Sequence, residues 1–382
     1  MIISLKFFGV LVGSALIYWL IPWQKYRNAF LSLVSLAFVS WFDKWAGVLI
    51  LSLTIFTWFF GLLIDRKENK KFWHVLGIVG LLAVLIVFKY SGLMVETFNQ
   101  LTSFITTLPE FHIDKILLPL GVSYITFKYI SYLTDIYWKI VKPGHFIDFL
   151  CYGSLFTIYV AGPIERFERL KPQLEIRRKF FSSHIEESFK RIVFGIFKKV
   201  VLADWIGYFI YPVWDNLDNY SLGIQALALL GYSLQIYFDF SGYSDIAIGA
   251  SRLFGFKIKE NFNWPYLQPN INQFWRNWHI SLSDWIRDYI FFPLSRVSSN
   301  KLWLILFVPV ISMGLCGFWH GAGWHFLFWG ILHGLAISIY QFWQRLKKSN
   351  KIVLNLSKQK WFGYFSPVIT FIFVTIAWIW FR

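Results

Sequence analysis

The stretch W-A-G-V-L-I-L-S-L-T-I-F-T-W-F-F-G-L-L-I occupies Trp45–Ile64 and contains no charged residue. A helix of about 20 residues, rising 1.5 Å per residue, spans the roughly 30 Å hydrocarbon core of a bilayer. Backbone groups inside hydrocarbon must form their hydrogen bonds within the same segment, so a spanning segment is helical. This stretch therefore predicts a membrane-crossing α-helix.

Similar apolar runs recur along the whole chain. Of the 382 residues, 57% are hydrophobic and only 15% are charged, and the chain contains 42 Phe, 21 Trp and 19 Tyr. A soluble domain is about a quarter charged, so this excess of apolar residues indicates contact with lipid. We predict an all-α polytopic membrane protein. The candidate membrane segments are residues 7–22, 28–42, 45–64, 72–89, 116–138, 147–164, 192–214, 220–238, 302–319, 322–342 and 361–381.

The formal net charge of +16 comes mostly from short basic stretches between the apolar runs, as in cytoplasmic loops. This distribution argues against nucleic-acid binding. The same rule places residues 66–71 inside, the acidic loop 91–115 outside, and Lys139 and Lys142 inside. The basic loop 165–179 also belongs inside, although only the segment 147–164 lies between. Either that segment re-enters the same face of the membrane, or one of the assignments is wrong.

Residues 273–291 differ from the other segments because apolar and polar residues alternate there at helical spacing. The apolar positions are Trp275, Trp278, Leu282, Trp285 and Tyr289. The polar positions are Arg276, His279, Ser283 and Arg287. The pattern predicts an amphipathic helix that either anchors the chain at the membrane interface or lines the mouth of a polar cavity.

Three histidines, His320, His325 and His333, lie within fourteen residues and could suggest a metal site. On one continuous helix His325 would point about 140° away from His320, and His333 about 140° away in the other direction, since successive residues turn by 100°. No Asp or Glu follows Asp288, so a local carboxylate ligand is missing as well. We therefore expect no metal.

His320 is the better candidate for chemistry. Gly321 and Gly323 follow it and would let a substrate or a second helix approach the backbone closely. A neutral, partly buried imidazole can accept a proton from a hydroxyl group, as acyl transfer requires. The alternative is a structural histidine that bonds a backbone carbonyl. The G-x-x-x-G step at Gly330 and Gly334 predicts tight helix packing, and His333 inside it is either structural or a supporting partner.

Five stretches of the chain resemble the signatures of the membrane-bound O-acyltransferase (MBOAT) family. The first signature is N-F-N-W-P-Y-L-Q-P-N-I-N-Q-F-W-R-N-W-H-I-S-L-S-D-W-I-R-D-Y at Asn261–Tyr289, and the second is G-F-W-H-G-A-G-W-H-F-L-F-W-G-I-L-H-G at Gly317–Gly334. Three more blocks agree: Pro119–Tyr137, Ala161–Arg166 and Gln235–Gly249. Within the family the chain is most similar to the bacterial alginate O-acetyltransferase (AlgI) subgroup, with the D-alanyl-transfer protein DltB as the nearest neighbour.

The resemblance implies a ring of about 10–11 membrane helices around a central funnel or tunnel. It places the catalytic histidine at His320 and a helper at His279. It implies transfer of an acetyl or similar small acyl group to hydroxyls of an extracytoplasmic polysaccharide. The donor would be an acyl thioester such as acetyl-CoA or an acyl carrier protein, with no bound cofactor. The expected tunnel residues are Trp275, Arg276, Trp278, Ser283, Trp319, Trp324 and His333.

The resemblance also implies that residues 1–382 form a single multi-pass domain in the bacterial cytoplasmic (inner) membrane, in contact with membrane lipid and with accessory periplasmic or extracellular acetylation proteins. Two departures stand out. The family's P-L-G-G reads P-L-S-R at Pro293–Arg296, and subgroup members extend beyond the point matching Arg382, which leaves truncation and a short variant as alternatives. The competing functions are DltB-like D-alanyl transfer, a transporter or flippase, a membrane glycosyltransferase and a structural subunit.

Overall fold

The regular structure of this chain is helical. The computed structural model describes residues 3–103, 119, 121–160 and 162–382, and that part of the chain contains no strand. The predicted all-α class is therefore confirmed. The helices group into two compact units, Met1–Ile192 with Ala247–Ile258 and Val193–Ile246 with Lys259–Arg382.

Three helices of the first unit begin at polar capping residues, Ser4, Asp43 and Asn69. Asp43 accepts hydrogen bonds from the backbone amides of Trp45 and Ala46, at 3.0 and 3.1 Å, and so fixes the start of α3. Asn69 caps α4 in the same way. The helices are α1 (Leu5–Leu20), α2 (Gln24–Phe42), α3 (Lys44–Arg66), α4 (Lys70–Thr102), α5 (Val122–Tyr137), α6 (Phe146–Ser154) and α7 (Phe167–Glu175).

The remaining helices belong wholly or mainly to the second unit. They are α8 (182–215), α9 (Leu222–Leu253), α10 (Ile271–Asn277), α11 (280–295), α12 (Trp303–His320), α13 (Trp324–Ser349), α14 (Lys351–Ser357) and α15 (Lys360–Trp380). The first turns of α8 and the last turns of α9 belong to the first unit. Phe197–Ala203 in α8 forms a π-helical segment, a rare geometry that is frequently found at functional sites.

Five helices in the described part are long and apolar enough to cross a membrane: α3, α4, α12, α13 and α15. They confirm the predicted spans at 45–64, 72–89, 302–319, 322–342 and 361–381. The predicted segments at 7–22, 28–42, 116–138, 192–214 and 220–238 also contain helices, but these do not combine sufficient length, sufficient apolarity and few charged residues. By these criteria the described part of the chain contains five membrane helices, fewer than the roughly 10–11 that the resemblance implies.

The predicted outside loop at 91–115 is wrong in its first half, because α4 continues to Thr102. Residues 104–118, together with 120 and 161, lie outside the described residues, and with them the rest of that loop and the start of the segment 116–138.

The predicted membrane span at 147–164 is also wrong. α6 ends at Ser154, and its nine residues extend only about 14 Å, half of what a crossing needs. Leu155 and Phe156, which follow, are fully buried inside the first unit. The amide of Phe156 donates to Oγ of Ser35 at 3.1 Å, which satisfies the backbone where the helix stops. This apolar run therefore belongs to the protein core and does not form a spanning helix.

The amphipathic helix predicted at 273–291 is interrupted. α10 ends at Asn277, Trp278 is extended, and His279 has a φ of +42° in the left-handed region before α11 begins at Ile280. This break rotates the two halves of the segment against each other. Arg276 is consequently exposed, while His279 is buried, so they do not share the polar face that the spacing predicted.

Candidate active site

His320 is the last residue of α12, at a sharp bend between two closely packed helices. Gly321 is extended, and a Cβ there would lie 1.9 Å from the ring of Phe326 in α13. Deeper in the pair, a Cβ on Gly317 would lie 2.2 Å from the backbone oxygen of Phe326, and one on Gly330 would lie 2.2 Å from that of Met313. The predicted tight packing at the G-x-x-x-G step is therefore confirmed, and glycines make the bend possible.

Aromatic rings surround the half-buried side chain of His320. The ring centroids of Trp319, Phe381 and Trp329 lie 5.0, 5.1 and 5.4 Å from its imidazole. Trp329 and Phe381 also contact each other, at 4.9 Å. These walls exclude water from most of the imidazole, and the part of His320 that stays accessible can meet a substrate.

His279 lies beside His320, with 6.4 Å between the ring centroids. Its side chain is only 1% exposed, and within the described residues neither ring nitrogen has a hydrogen-bond partner. The ring of Phe240 packs edge-on against it at 4.6 Å. Burial, reinforced by the nearby His320, holds the pKa of His279 well below its usual range, so this imidazole is neutral at neutral pH.

Asn261 holds the strained backbone at His279 in place. Its Oδ1 accepts from the amide and the hydroxyl of Ser281, at 3.2 and 2.8 Å, and its backbone oxygen accepts from the amide of Ile280 at 2.9 Å. Its Nδ2 donates to Oγ of Ser244 in α9 at 3.2 Å. Asn261 thus connects the residues after His279 to the helix that carries Phe240.

A third histidine, His333 of α13, forms the inner wall of the cluster and is completely buried. Nε1 of Trp275 donates to its Nδ1 at 3.3 Å. An indole N–H can only donate, so a neutral His333 carries its own proton on Nε2. The Trp329 ring lies 4.7 Å from His333 and, as noted above, also contacts His320. The bend after His320 thus allows His320 and His333 to contact the same Trp329 ring, which they could not do on one continuous helix.

The expected tunnel residues fall into two groups. Trp275, Trp278, Trp319 and His333 are buried in or beside the histidine cluster, and Trp278 packs against Trp378 at 5.2 Å. The other residues of the set lie elsewhere. Arg276 and Trp324 are exposed, and Oγ of Ser283 donates to the backbone oxygen of Trp278 at 2.9 Å, where it supports the helix break.

A metal site has no support among the described residues, where no three His, Cys, Asp or Glu side chains come together as ligands. His325 is exposed, and its Nδ1 lies 2.9 Å from the backbone oxygen of Trp380, so it does not join the other two histidines of its segment.

Asp239 and Asp245 lie well inside α9. Both are ion-paired to the π-helical segment of α8: Lys198 pairs with Asp245, and Lys199 pairs with Asp239. Lys199 also lies 2.8 Å from Asp204. These ion pairs neutralise charges close to the histidine cluster. Asp239 precedes Phe240, and the ring of Phe240 contacts His279.

The sequence of this chain matches known proteins over most of its length. Residues 122–377 match the model of "MBOAT, membrane-bound O-acyltransferase family". The chain belongs to the membrane-bound O-acyltransferase family. It is therefore a membrane enzyme that transfers acyl groups to oxygen, and the expected family membership is confirmed.

Within the MBOAT family, three relatives show the range of activities. A protein described as "Probable alginate O-acetylase AlgI" from Pseudomonas aeruginosa is 37% identical over 370 residues, covering 94% of this chain and 67% of the relative. A "Peptidoglycan O-acetyltransferase" from Helicobacter pylori is 33% identical over 390 residues, 94% of this chain and 71% of the relative. A "Teichoic acid D-alanyltransferase" from Streptococcus thermophilus is 32% identical over 281 residues, 68% of this chain and 67% of the relative.

Several residues of the site were missed from the sequence. Trp329, Trp378 and Phe381 form its walls, and Asn261 supports its backbone. With 21 Trp and 42 Phe in the chain, no single aromatic residue stands out by composition. Asn261 is a polar residue between apolar segments, and such a residue needs hydrogen-bond partners if it is buried. Its partners lie 20 and 17 residues away, so the local sequence does not identify them.

Proposed function

We propose that this MBOAT enzyme transfers an acetyl or similar small acyl group to hydroxyls of an extracytoplasmic polysaccharide or cell-envelope glycan, with His320 as the general base. The observation that carries the proposal is the pairing of a half-buried His320 with a buried, neutral His279 in an aromatic enclosure. The names of the alginate and peptidoglycan relatives support this class of acceptor.

The two histidines take different roles because their environments differ. His320 is partly accessible, so it can contact an acceptor hydroxyl, whereas His279 is enclosed. When His320 takes a proton, a positively charged neighbour would repel the new positive charge. A neutral His279 does not, and its unpartnered nitrogens leave it able to hydrogen-bond a substrate or the protonated His320. His279 is therefore the helper, and His320 is the proton acceptor.

The reaction proceeds by direct transfer. The imidazole of His320 removes the proton from the acceptor hydroxyl while the oxygen attacks the carbonyl carbon of the acyl donor. The new C–O bond forms, and the C–S bond of a thioester donor breaks. The leaving thiolate then takes the proton from the His320 imidazolium, which returns the base to its neutral form. No acyl-enzyme is required, and the donor, such as acetyl-CoA or an acyl carrier protein, acts as a substrate.

The proposal includes a cellular setting. The enzyme works in the bacterial cytoplasmic membrane as one multi-pass domain over residues 1–382. The thioester reaches the site from the cytoplasm through a membrane-embedded tunnel within a ring of helices, and the glycan or an accessory acetylation protein receives the acyl group on the outer side. This direction of transfer explains why the chemistry is carried out inside a membrane protein.

D-alanyl transfer is the second candidate, because the teichoic acid D-alanyltransferase of Streptococcus thermophilus is 32% identical to this chain. The same base and the same bond changes would serve both reactions. Only the acyl group released from the product on mild alkaline hydrolysis, acetate or D-alanine, distinguishes them.

The test measures base-labile ester on cell-envelope and secreted glycans of a deletion strain. The strain is complemented with wild type, with His320→Ala, or with His325→Ala at equal membrane abundance. His325 is the matched control, because it is an exposed histidine of the same segment that points to a backbone oxygen. We expect wild type and His325→Ala to restore the ester and His320→Ala to leave it absent. Full restoration by His320→Ala would show that His320 is not the base.

A further inference from the structure

A long apolar groove runs along the second unit between α13 and α15. Its volume is about 780 Å³, within the range of small-molecule sites. Leu335 and Ile339 form one wall, and Phe365 and Ile369 form the other. These side chains are 39–69% exposed, so the two helices leave them unpacked. A groove of this composition inside a membrane accommodates hydrocarbon.

The groove has the length of a lipid tail. Its lining extends on α13 from Leu332 to Lys347, which is about 22 Å along a helix. The hydrocarbon thickness of one leaflet is roughly 15 Å, half of the bilayer core. An acyl chain therefore fits along the groove with the remaining length left for a headgroup.

One end of the groove is amphipathic and cationic. Tyr340, Trp343, Gln344 and Lys347 line it on α13, and Trp343 stacks on Phe362 of α15 at 6.0 Å. Tryptophan and tyrosine favour the headgroup level of a bilayer, so this end marks the membrane surface.

The positive charge at this end is not matched by acidic residues in the same stretch of sequence. The sequence from residue 289 to 382 contains nine Lys and Arg and no Asp or Glu. Lys347 lines the groove. Six of the nine cations lie within residues 345–360, where α13 ends and α15 begins: Arg345, Lys347, Lys348, Lys351, Lys358 and Lys360. Such a basic site between membrane helices suits the phosphate of an anionic lipid.

We propose that the α13–α15 groove binds one anionic phospholipid, with an acyl chain between the two helices and its phosphate at Lys347. A positive-inside bias alone would explain the cations, but it would not explain why Lys347 lines an open groove of lipid length. The bound lipid completes a packing surface that the protein leaves open.

The inner end of the groove reaches the histidine cluster. Phe373 lines the groove and also packs against the ring of His333 at 5.3 Å. A lipid tail in the groove therefore supports Phe373 from behind and, through it, the Trp275–His333 pair. Lipid binding is a separate property from acyl transfer, so it can be tested without any assumption about the acceptor.

The experiment is native mass spectrometry of the purified full chain, released from nanodiscs that contain phosphatidylcholine and phosphatidylglycerol. We expect one retained phosphatidylglycerol on wild type. Lys347→Gln should lower its apparent affinity roughly fivefold, because one Lys near an anionic headgroup is worth about that factor. Lys301→Gln, an exposed cation in the same acid-free stretch, is the matched control and should retain the lipid. Ile339→Trp, which fills the groove, should abolish retention.

Three results would overturn the proposal. Equal retention by wild type, Lys347→Gln and Ile339→Trp would show that the groove is ordinary lipid-facing surface. A dimer that Ile339→Trp dissociates would show that a second copy of the chain occupies the groove. Displacement of the lipid by inorganic phosphate alone would show that the site recognises only an anion.

Discussion

Replacement of Asn261 by alanine tests whether a single buried amide positions His279. The change keeps the backbone bond from Ile280 but removes three side-chain hydrogen bonds, two from Ser281 and one to Ser244. Each such bond contributes about 1 kcal/mol net, and a buried amide left without a partner costs about 1–3 kcal/mol. We therefore expect Asn261→Ala to lower the free energy of unfolding by about 3 kcal/mol.

The same variant should affect catalysis more than this loss suggests. Without the Asn261 side chain, Ser281 no longer helps to hold His279 in its left-handed conformation, which costs about 1–2 kcal/mol for a residue other than glycine. A displacement of about 1 Å at a catalytic group can lower a rate by roughly a hundredfold. We expect a loss in kcat of that order with KM for the acyl donor nearly unchanged.

The assay combines thermal unfolding of the detergent-purified protein with transfer kinetics on the folded fraction. Ser244→Ala is the graded control, since it removes only one of the three bonds and should cost about 1 kcal/mol. If Asn261→Ala is destabilised as expected but keeps wild-type kcat, Asn261 supports the fold without positioning His279, and the argument is refuted.

Three further predictions follow from the same site. Gly317→Ala should destabilise the protein by at least about 2 kcal/mol in thermal unfolding, because its Cβ would collide with a backbone oxygen of α13, whereas Gly314→Ala, with its nearest neighbour at 3.5 Å, should be tolerated. A double-mutant cycle between Trp275→Phe and His333→Phe should give a coupling of about 1 kcal/mol, and a value near zero would exclude their hydrogen bond. The folded-state pKa of His279 is depressed, so on acidification the unfolded chain binds a proton on this imidazole before the folded protein does. The free energy of unfolding should therefore fall as pH drops below about 6.5 towards the folded-state pKa, and His279→Asn should remove that part of the pH dependence.

The membrane helices could be predicted where the apolar run is both long and free of charge. α3, α12, α13 and α15 all satisfy this condition, and the cap at Asp43 explains why α3 begins where the charge-free run does. The tight packing of α12 on α13 could also be predicted, because glycines four residues apart allow a neighbouring helix to approach the backbone closely.

The features that were predicted wrongly or missed depend on tertiary packing, which the local sequence does not show. The run 147–164 is apolar because the first unit buries it, and hydrophobicity alone does not distinguish a protein core from lipid. The break at His279 was hidden because the residues around it keep helical spacing on both sides. The bend after His320 had a signal in Gly321 and Gly323, but its outcome depends on Phe326 packing against it, which only the folded structure shows.

The left-handed backbone of His279 sets stability against function at one position. A glycine there would adopt the same φ without strain, so by backbone energetics alone it would be the better residue. Only the imidazole, enclosed by Phe240 and beside His320, gives a reason to keep a side chain in that conformation. A selection for thermal tolerance alone would be expected to replace His279 early, and a selection for acyl transfer would be expected to restore it.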